Sequence, residues 1–353
     1  MTQAKIHADS ATTTGNGWAL PLSPGAKERI THLLAGRRRR TIITVALFTI
    51  VVALLPFFLD PYWLYLASSW MAYTIAVMGA RVLFGITGIF SLSQATFVGI
   101  GAYTAAVGAT VLGLTGLYEI VLVIGVSVAA ALLVGIPALR VSGLRLALVT
   151  LAVGELFQWW IREQRAVTGG LQGLPVASFY IPGLETDSPY FLYGLCAVSV
   201  GLATVVLARI PHTQLGRNMA AVRESQFAAR SVGVSLSRTK LAAFVVAGVC
   251  AGVSGFLVAH LVGSVTPATF GLFPSVYILV GVILGGSGST LGAWIGAAYV
   301  SLVPPLFSAL GQDRLYVLLS GALLVALIYL LPGGAVQLKN IFSQSKNTGK
   351  VTP

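Results

Sequence analysis

Apolar residues fall in long blocks along this chain, parted by short polar or Gly-rich breaks. A helix needs about 20 predominantly apolar residues to cross a bilayer. Ten blocks answer to that rule: 41–59, 62–84, 91–113, 118–139, 146–162, 190–209, 241–262, 273–286, 291–310 and 315–332. The block 273–286 is short and fits a broken or re-entrant segment as well as a complete span. The pattern predicts an all-α polytopic membrane protein, with about ten transmembrane helices (range 8–10) in a domain spanning 41–335. Residues 1–40 and 336–353 read as tails, the first poorly ordered.

Composition agrees. Hydrophobic residues make up 56% of the chain and charged residues 9%, whereas soluble domains carry about 25% charged, so no soluble class fits. The net charge of +12 would suit a nucleic-acid partner were it spread over one face. Instead the basic residues gather in a few loops, as orientation signals do. With the N-terminus in the cytoplasm, 18 of the 22 Lys and Arg are cytoplasmic. Seven lie in the tail, including the run from Arg37 to Arg40, and six between 209 and 240; the others are Arg140, Arg145, Lys339, Lys346 and Lys350. Arg81 belongs near the cytoplasmic end of its block. Six of the ten acids (Asp60, Glu119, Glu163, Glu185, Asp187 and Asp313) fall on the opposite side. Both termini are thus expected in the cytoplasm. The first 40 residues hold no apolar stretch of the kind a cleavable signal peptide needs. Cys196 and Cys250 lie inside apolar blocks and read as small core residues.

Two loops stand apart. The stretch 211–240 is polar and basic between apolar blocks, with a helix expected from about Asn218 to Val232 and a stop at Gly233. Met219, Val222, Gln226 and Ala229 share one side of that helix, a stripe too narrow for a membrane-surface helix. Phe227 lies off that side, between Arg223 and Arg230, as an exposed aromatic suited to a groove on another protein. The loop 163–189, placed outside, mixes Thr168-Gly169-Gly170 and Gly173 with Leu171, Leu174, Val176, Phe179, Tyr180 and Ile181. It fits a folded cap or a plain connector equally.

Residues that could carry chemistry are few. No Walker sequence, paired carboxylates or Cys/His cluster is present, so no catalytic or metal site is expected. His212 and His260 each read as isolated. Two small-residue stretches, Gly85 to Tyr103 and Gly281 to Gly296, join blocks almost without charge. Broken backbone at membrane depth in both halves of a chain points to a translocation pathway. Close helix packing through Gly281/Gly285, Gly292/Gly296 and Gly248/Gly252 is the plainer reading. Gly88, Ser91, Ser93, Gln94, Gly285 and Gly286 are the candidates for pathway lining. Glu155 stands well inside a predicted span, where an isolated carboxylate costs about 2.5–3.5 kcal/mol; a structural hydrogen bond is favoured for it over a proton relay, with the pathway as a further candidate role.

The stretch Phe227-Ala228-Ala229-Arg230-Ser231-Val232-Gly233 resembles the Glu-Ala-Ala-x-x-x-Gly coupling loop of ATP-binding-cassette importer permeases. Its flanks, Gly216-Arg217, Arg223-Glu224 and Lys240 to Phe244, resemble those of the branched-chain amino acid permease family. So do Gly85 to Tyr103, Thr168-Gly169-Gly170, Gly285-Gly286-x-Gly288 and Leu331-Pro332-Gly333-Gly334. The likeness runs from about residue 62 to 335. Phe227 replaces the motif's Glu, and Ser93-Gln94 stands where the family often has Gly-His.

The resemblance implies a transport subunit of a bacterial inner (plasma) membrane that is not itself an enzyme. It implies a second permease subunit, two cytoplasmic ATPase subunits that use ATP and Mg, and an extracytoplasmic substrate-binding protein. This chain would bind no cofactor, and Arg217, Arg223, Glu224, Phe227, Ala228, Ala229, Arg230 and Gly233 would form its coupling surface. Urea, short amides or other amino acids are alternative cargoes. An ion-gradient-driven secondary transporter is the alternative of a different class.

Overall fold

The computed structural model describes residues 60–309 apart from 115, 142, 180–187 and 287–289, together with Pro56 and Ala322. They belong to the unit Pro56–Pro353, the other unit of the chain being Met1–Leu55. The predicted blocks 41–59 and 315–332, both tails and Gly288 lie outside the described residues.

Among the described residues six helical stretches are long and apolar enough to cross a membrane. The first is α1 (Pro61–Arg81), entered through Pro61 at the start of the helix, where its missing N–H costs nothing. It continues as a π-helical turn, Val82–Ile86, to make one 26-residue stretch. The others are α3 (Leu117–Ala138), α5 (Pro189–Arg209), α8 (Leu236–Val262), α9 (Leu272–Gly285) and α10 (Thr290–Ala309). A 3₁₀ turn, Pro267–Phe270, lengthens the short block before α9, so that the stretch runs for 19 residues. The blocks at 91–113 and 146–162 fold as α2 (Gln94–Thr110) and α4 (Leu144–Glu163), neither of which is among the six.

α1 and α8 form the centre. Their apolar windows are 78% and 61% buried, against 28% for α3 and 22% for α5, which lie at the periphery. α8 packs on α1, α2 and α3, and α1 also packs on α5 and α10. Small residues set these approaches: a methyl on Gly101 would collide with Gly252, one on Gly255 with the Val98 carbonyl, and one on Gly252 with Ser127. Without a hydrophobic drive between helices in lipid, such close contact is what holds them. Between α9 and α10, Gly281 meets Gly296 and Gly285 meets Gly292. These glycines pair across two helices, not along one.

The contacts also set depth. Phe97 touches Gly248 and Gly101 meets Gly252, so α2 runs parallel to α8. The Leu92 N–H donates to Thr150 Oγ1 at 3.0 Å, Gly154 faces Thr96 and Gly99 faces Phe157. α4 therefore runs beside α2 in the same direction. Gln94 Nε2 donates to the carbonyls of Ala76 and Ala247, each at 3.3 Å, which places the start of α2 level with the middle of α8. Hence α2 has only 17 residues. Its missing half is replaced by the π turn and the non-helical stretch Thr87–Ser93. That stretch is satisfied from inside the protein, by Thr150 at Leu92, by Ser91 Oγ at Ser93, and next to it by Ser275 Oγ at Ala95 N (3.1 Å), as buried irregular backbone at this depth must be.

Between α4 and α5, residues 163–179 are folded, not a bare connector. The Thr168 hydroxyl donates to Ile161 O at 2.6 Å and accepts from Gly170 N at 3.3 Å. Leu174 and Pro175 then pair antiparallel with Val265 and Ser264 beyond the end of α8.

Candidate functional site

The basic stretch folds as two helices, α6 (Gln214–Glu224) and α7 (Gln226–Ser231), instead of the single helix expected from Asn218 to Val232. Ser225 breaks it, in extended conformation, with its hydroxyl accepting from Ala228 N at 3.3 Å. A Ser that can satisfy free N–H groups at a helix start prefers that place to a helix interior. Thr213 caps α6 in the same way, accepting from Gly216 N at 3.2 Å. Gly233 ends α7 with φ +82°, a left-handed conformation that glycine alone adopts freely.

One side of this segment faces inward. Val222, Ala229 and Leu236 form a small core, and Met219 is fully buried. Gln226, on the same side of the expected wheel, is exposed but accepts from Lys240 Nζ at 3.2 Å. The other side is open. Phe227 is 83% exposed, and Arg217, Glu224, Ala228, Arg230 and Gly233 are exposed around it. The Arg217 guanidinium donates to the His212 carbonyl at 3.0 Å.

Arg223 joins this segment to the break after α1. Its guanidinium donates to the Gly85 carbonyl, and its side-chain stem lies over Gly88, where a Cβ would come within 2.9 Å of it. Gly88 has φ +71°, so both its backbone and its missing side chain suit the contact. Beside it opens a cleft of about 160 Å³ lined by Thr87, Gly143, Glu224 and Lys240 among others.

The other pathway candidates scatter. Ser91 and Gln94 line a cavity of about 10 Å³ with Ala80, Leu83 and Ser275, room for about one water. Ser93 is fully buried, its hydroxyl 3.0 Å from that of Ser91. Gly285 serves the contact with α10, and Gly286 ends α9 with φ +83°. Glu155 corrects the expectation of a structural hydrogen bond: it is exposed on α4, and no described residue bonds to it.

Glu119, expected on the outer side at the start of the block 118–139, lies in the first turn of α3 and is 1% exposed. Its Oε1 is 3.2 Å from Nε2 of His260, which the sequence left isolated. His260 Nδ1 donates to the Phe256 carbonyl at 3.0 Å. Nε2 is therefore the ring nitrogen that faces the carboxyl oxygen, close but not in full hydrogen-bond alignment. Phe179 from the folded loop packs edge-on to the His260 ring, with centroids 5.5 Å apart. A signal was present in the sequence: Glu119 opens one apolar block and His260 closes another, on the same side by the charge count.

A bundle of apolar helices, broken at mid-depth and carrying one folded basic segment, is the architecture of a multi-pass membrane transport subunit. The family model described as branched-chain amino acid transport system / permease component matches residues 62–328, and the chain belongs to that family. It is 31% identical to the high-affinity branched-chain amino acid transport system permease protein LivM of Salmonella typhimurium, over 87% of this chain and 79% of the relative. The Escherichia coli K12 protein of the same name is also 31% identical, over 88% and 78%. The autoinducer 2 import system permease protein LsrC of an Enterobacter species is 30% identical, over 77% and 79%. No solved structure matches the chain.

Proposed function

We propose that this chain is the transmembrane permease subunit of an ATP-binding-cassette importer for branched-chain amino acids. It forms part of the pathway and works with a second permease subunit, two cytoplasmic ATPases and an extracytoplasmic binding protein. Ten spans, cytoplasmic termini and an inner-membrane location belong to the same reading, as do the absence of a cofactor on this chain and ATP hydrolysis in the partners. The carrying observation is the Arg223 contact with Gly85 and Gly88. It ties an exposed, partner-ready surface to the π-helical end of α1 and the non-helical stretch that follows it. A partner that moves α6 and α7 moves that stretch, and with it Ser91, Ser93 and Gln94 at the start of α2. The cavity there takes no amino acid as it stands, so conduction requires the helices to part, as alternating access does.

The cargo rests on the LivM relatives; the LsrC likeness makes the ligand profile of the cognate binding protein the deciding measurement. The Glu119–His260 pair is the observation that favours an ion-gradient-driven transporter. It is closed from water on all sides at the end of α8, however, which suits a joint better than a relay. Uptake into vesicles decides. ATP should drive leucine uptake with no gradient imposed, and uptake on a proton or sodium gradient without ATP would overturn the proposal.

A further inference from the structure

On α4 the exposed positions Arg145, Leu148, Ala152, Glu155, Trp159 and Arg162 recur at intervals of three and four, so they form one stripe along the helix. The opposite side, with Leu146, Ala147, Thr150, Gln158 and Ile161, is buried. Through the α2–α4 register described above, Glu155 stands level with Phe97 and so with Gly248. Gly248 is one residue short of the midpoint of α8 (Leu236–Val262). Glu155 is therefore at mid-depth, facing outward from this chain, with no bond from any described residue.

Lipid is a poor neighbour for a carboxylate at that depth, and charges there face protein or water-filled cavities. The exposed Val198, Leu202, Val205 and Val206 of α5 carry no charge among them, whereas on α4 Glu155 lies among the exposed Leu148, Leu156, Trp159 and Trp160. On the buried side of α4, one turn from Glu155, lies a second polar demand. Gln158 is 2% exposed, and neither atom of its side-chain amide has a partner among the described residues. Buried amides are normally satisfied, so water or another polar group belongs beside it.

Resting on the importer reading above, we propose that the α4 stripe is this chain's wall of the aqueous path. The second permease subunit closes it from the opposite side, and Glu155 holds the ammonium group of the zwitterionic cargo at mid-depth. The carboxylate supplies what the cation loses on leaving water, while the arginines at the two ends of the stripe attract the cargo's carboxylate.

The test uses the assembled transporter in proteoliposomes, in a parent with Cys196→Ala and Cys250→Ala. Single cysteines are placed at Leu148 and Ala152 on the stripe, and at Val198 and Leu202 on α5. A charged, membrane-impermeant methanethiosulfonate should react with the two stripe positions, more slowly when leucine is present, and spare the two on α5. Stripe cysteines that react only with a lipid-soluble maleimide overturn the wall. In the parent, with liganded binding protein saturating, Glu155→Gln should lower leucine uptake about tenfold or more, as loss of a charge-assisted hydrogen bond does, with ATP hydrolysis little changed and Glu155→Asp partly restoring uptake. Unaltered uptake per ATP overturns the ammonium site. ATP-dependence of uptake in the parent is scored separately, so failure of the importer reading is told apart from failure of the stripe.

Discussion

Replacing Arg223 by Ala should uncouple the exposed segment from the break after α1 without unfolding either. A guanidinium–carbonyl hydrogen bond contributes about 1.5–3 kcal/mol where water is excluded. Arg223 is exposed, which screens that to about 1 kcal/mol. The side-chain stem over Gly88 adds about 1 kcal/mol, at about 0.8 kcal/mol per buried methylene. The joint is thus worth about 2 kcal/mol, or about thirtyfold in the population of the connected state. Leucine uptake by the reconstituted complex should fall by that order while ATP hydrolysis continues, so the ATP spent per leucine rises. Arg223→Lys, which keeps the stem but loses the planar fork, should lie between. The two rates are measured in parallel on the same proteoliposomes. Uptake per ATP within twofold of the unmodified complex would show that α6 does not transmit the partner's motion.

Phe227→Ala, at a fully formed but exposed position, should weaken capture of the ATPase about tenfold or more, as truncating an aromatic anchor does, while leaving thermal stability unchanged; equal co-purification would place the contact elsewhere. Glu119→Ala leaves the buried His260 ring facing an empty site and should destabilise the subunit by about 1–3 kcal/mol, as an unpaired buried polar group does, whereas Glu119→Gln keeps a polar partner and should cost less. A thermal melt in detergent compares them, and equal melts would show that the pair holds nothing. Gly285→Val drives a side chain into the Gly292 backbone and should abolish the α9–α10 contact, read as loss of the folded, monodisperse subunit. Ser225→Ala removes the α7 cap at about 1 kcal/mol and should reduce uptake only a few-fold; complete loss would mean that the break does more than start a helix.

Spans were legible because lipid imposes one long apolar period, which is why the blocks at 62–84, 118–139, 190–209 and 241–262 reappear within a few residues of their expected ends. Depth was not legible. Nothing in the block 91–113 shows that its first three residues run as non-helical backbone and that α2 starts level with Ala76. That information lies in hydrogen bonds to Thr150 and Ser275, far along the chain. The basic segment was half legible: its inward side and Gly233 stop followed from period and conformation, but a Ser at position 225 reads equally as helix surface and as cap until its neighbours are placed. Glu119 and His260 were missed because each was judged on its own helix. A pair across two helices needs the fold to bring it together.

The break at Ser225 turns the exposed segment into two levers with separate attachments. α6 is fastened through Arg223 to the carbonyl of Gly85, and α7, which carries Phe227, is followed by α8, where Lys240 holds Gln226. A single push on Phe227 would therefore divide, one share pulling on the gap between α1 and α2, the other turning the central helix α8. A continuous rod from Asn218 to Val232 would have delivered both shares to one point. With the joint, a partner engaging Phe227 would work two parts through separate attachments, Arg223 on Gly85 and Lys240 on Gln226.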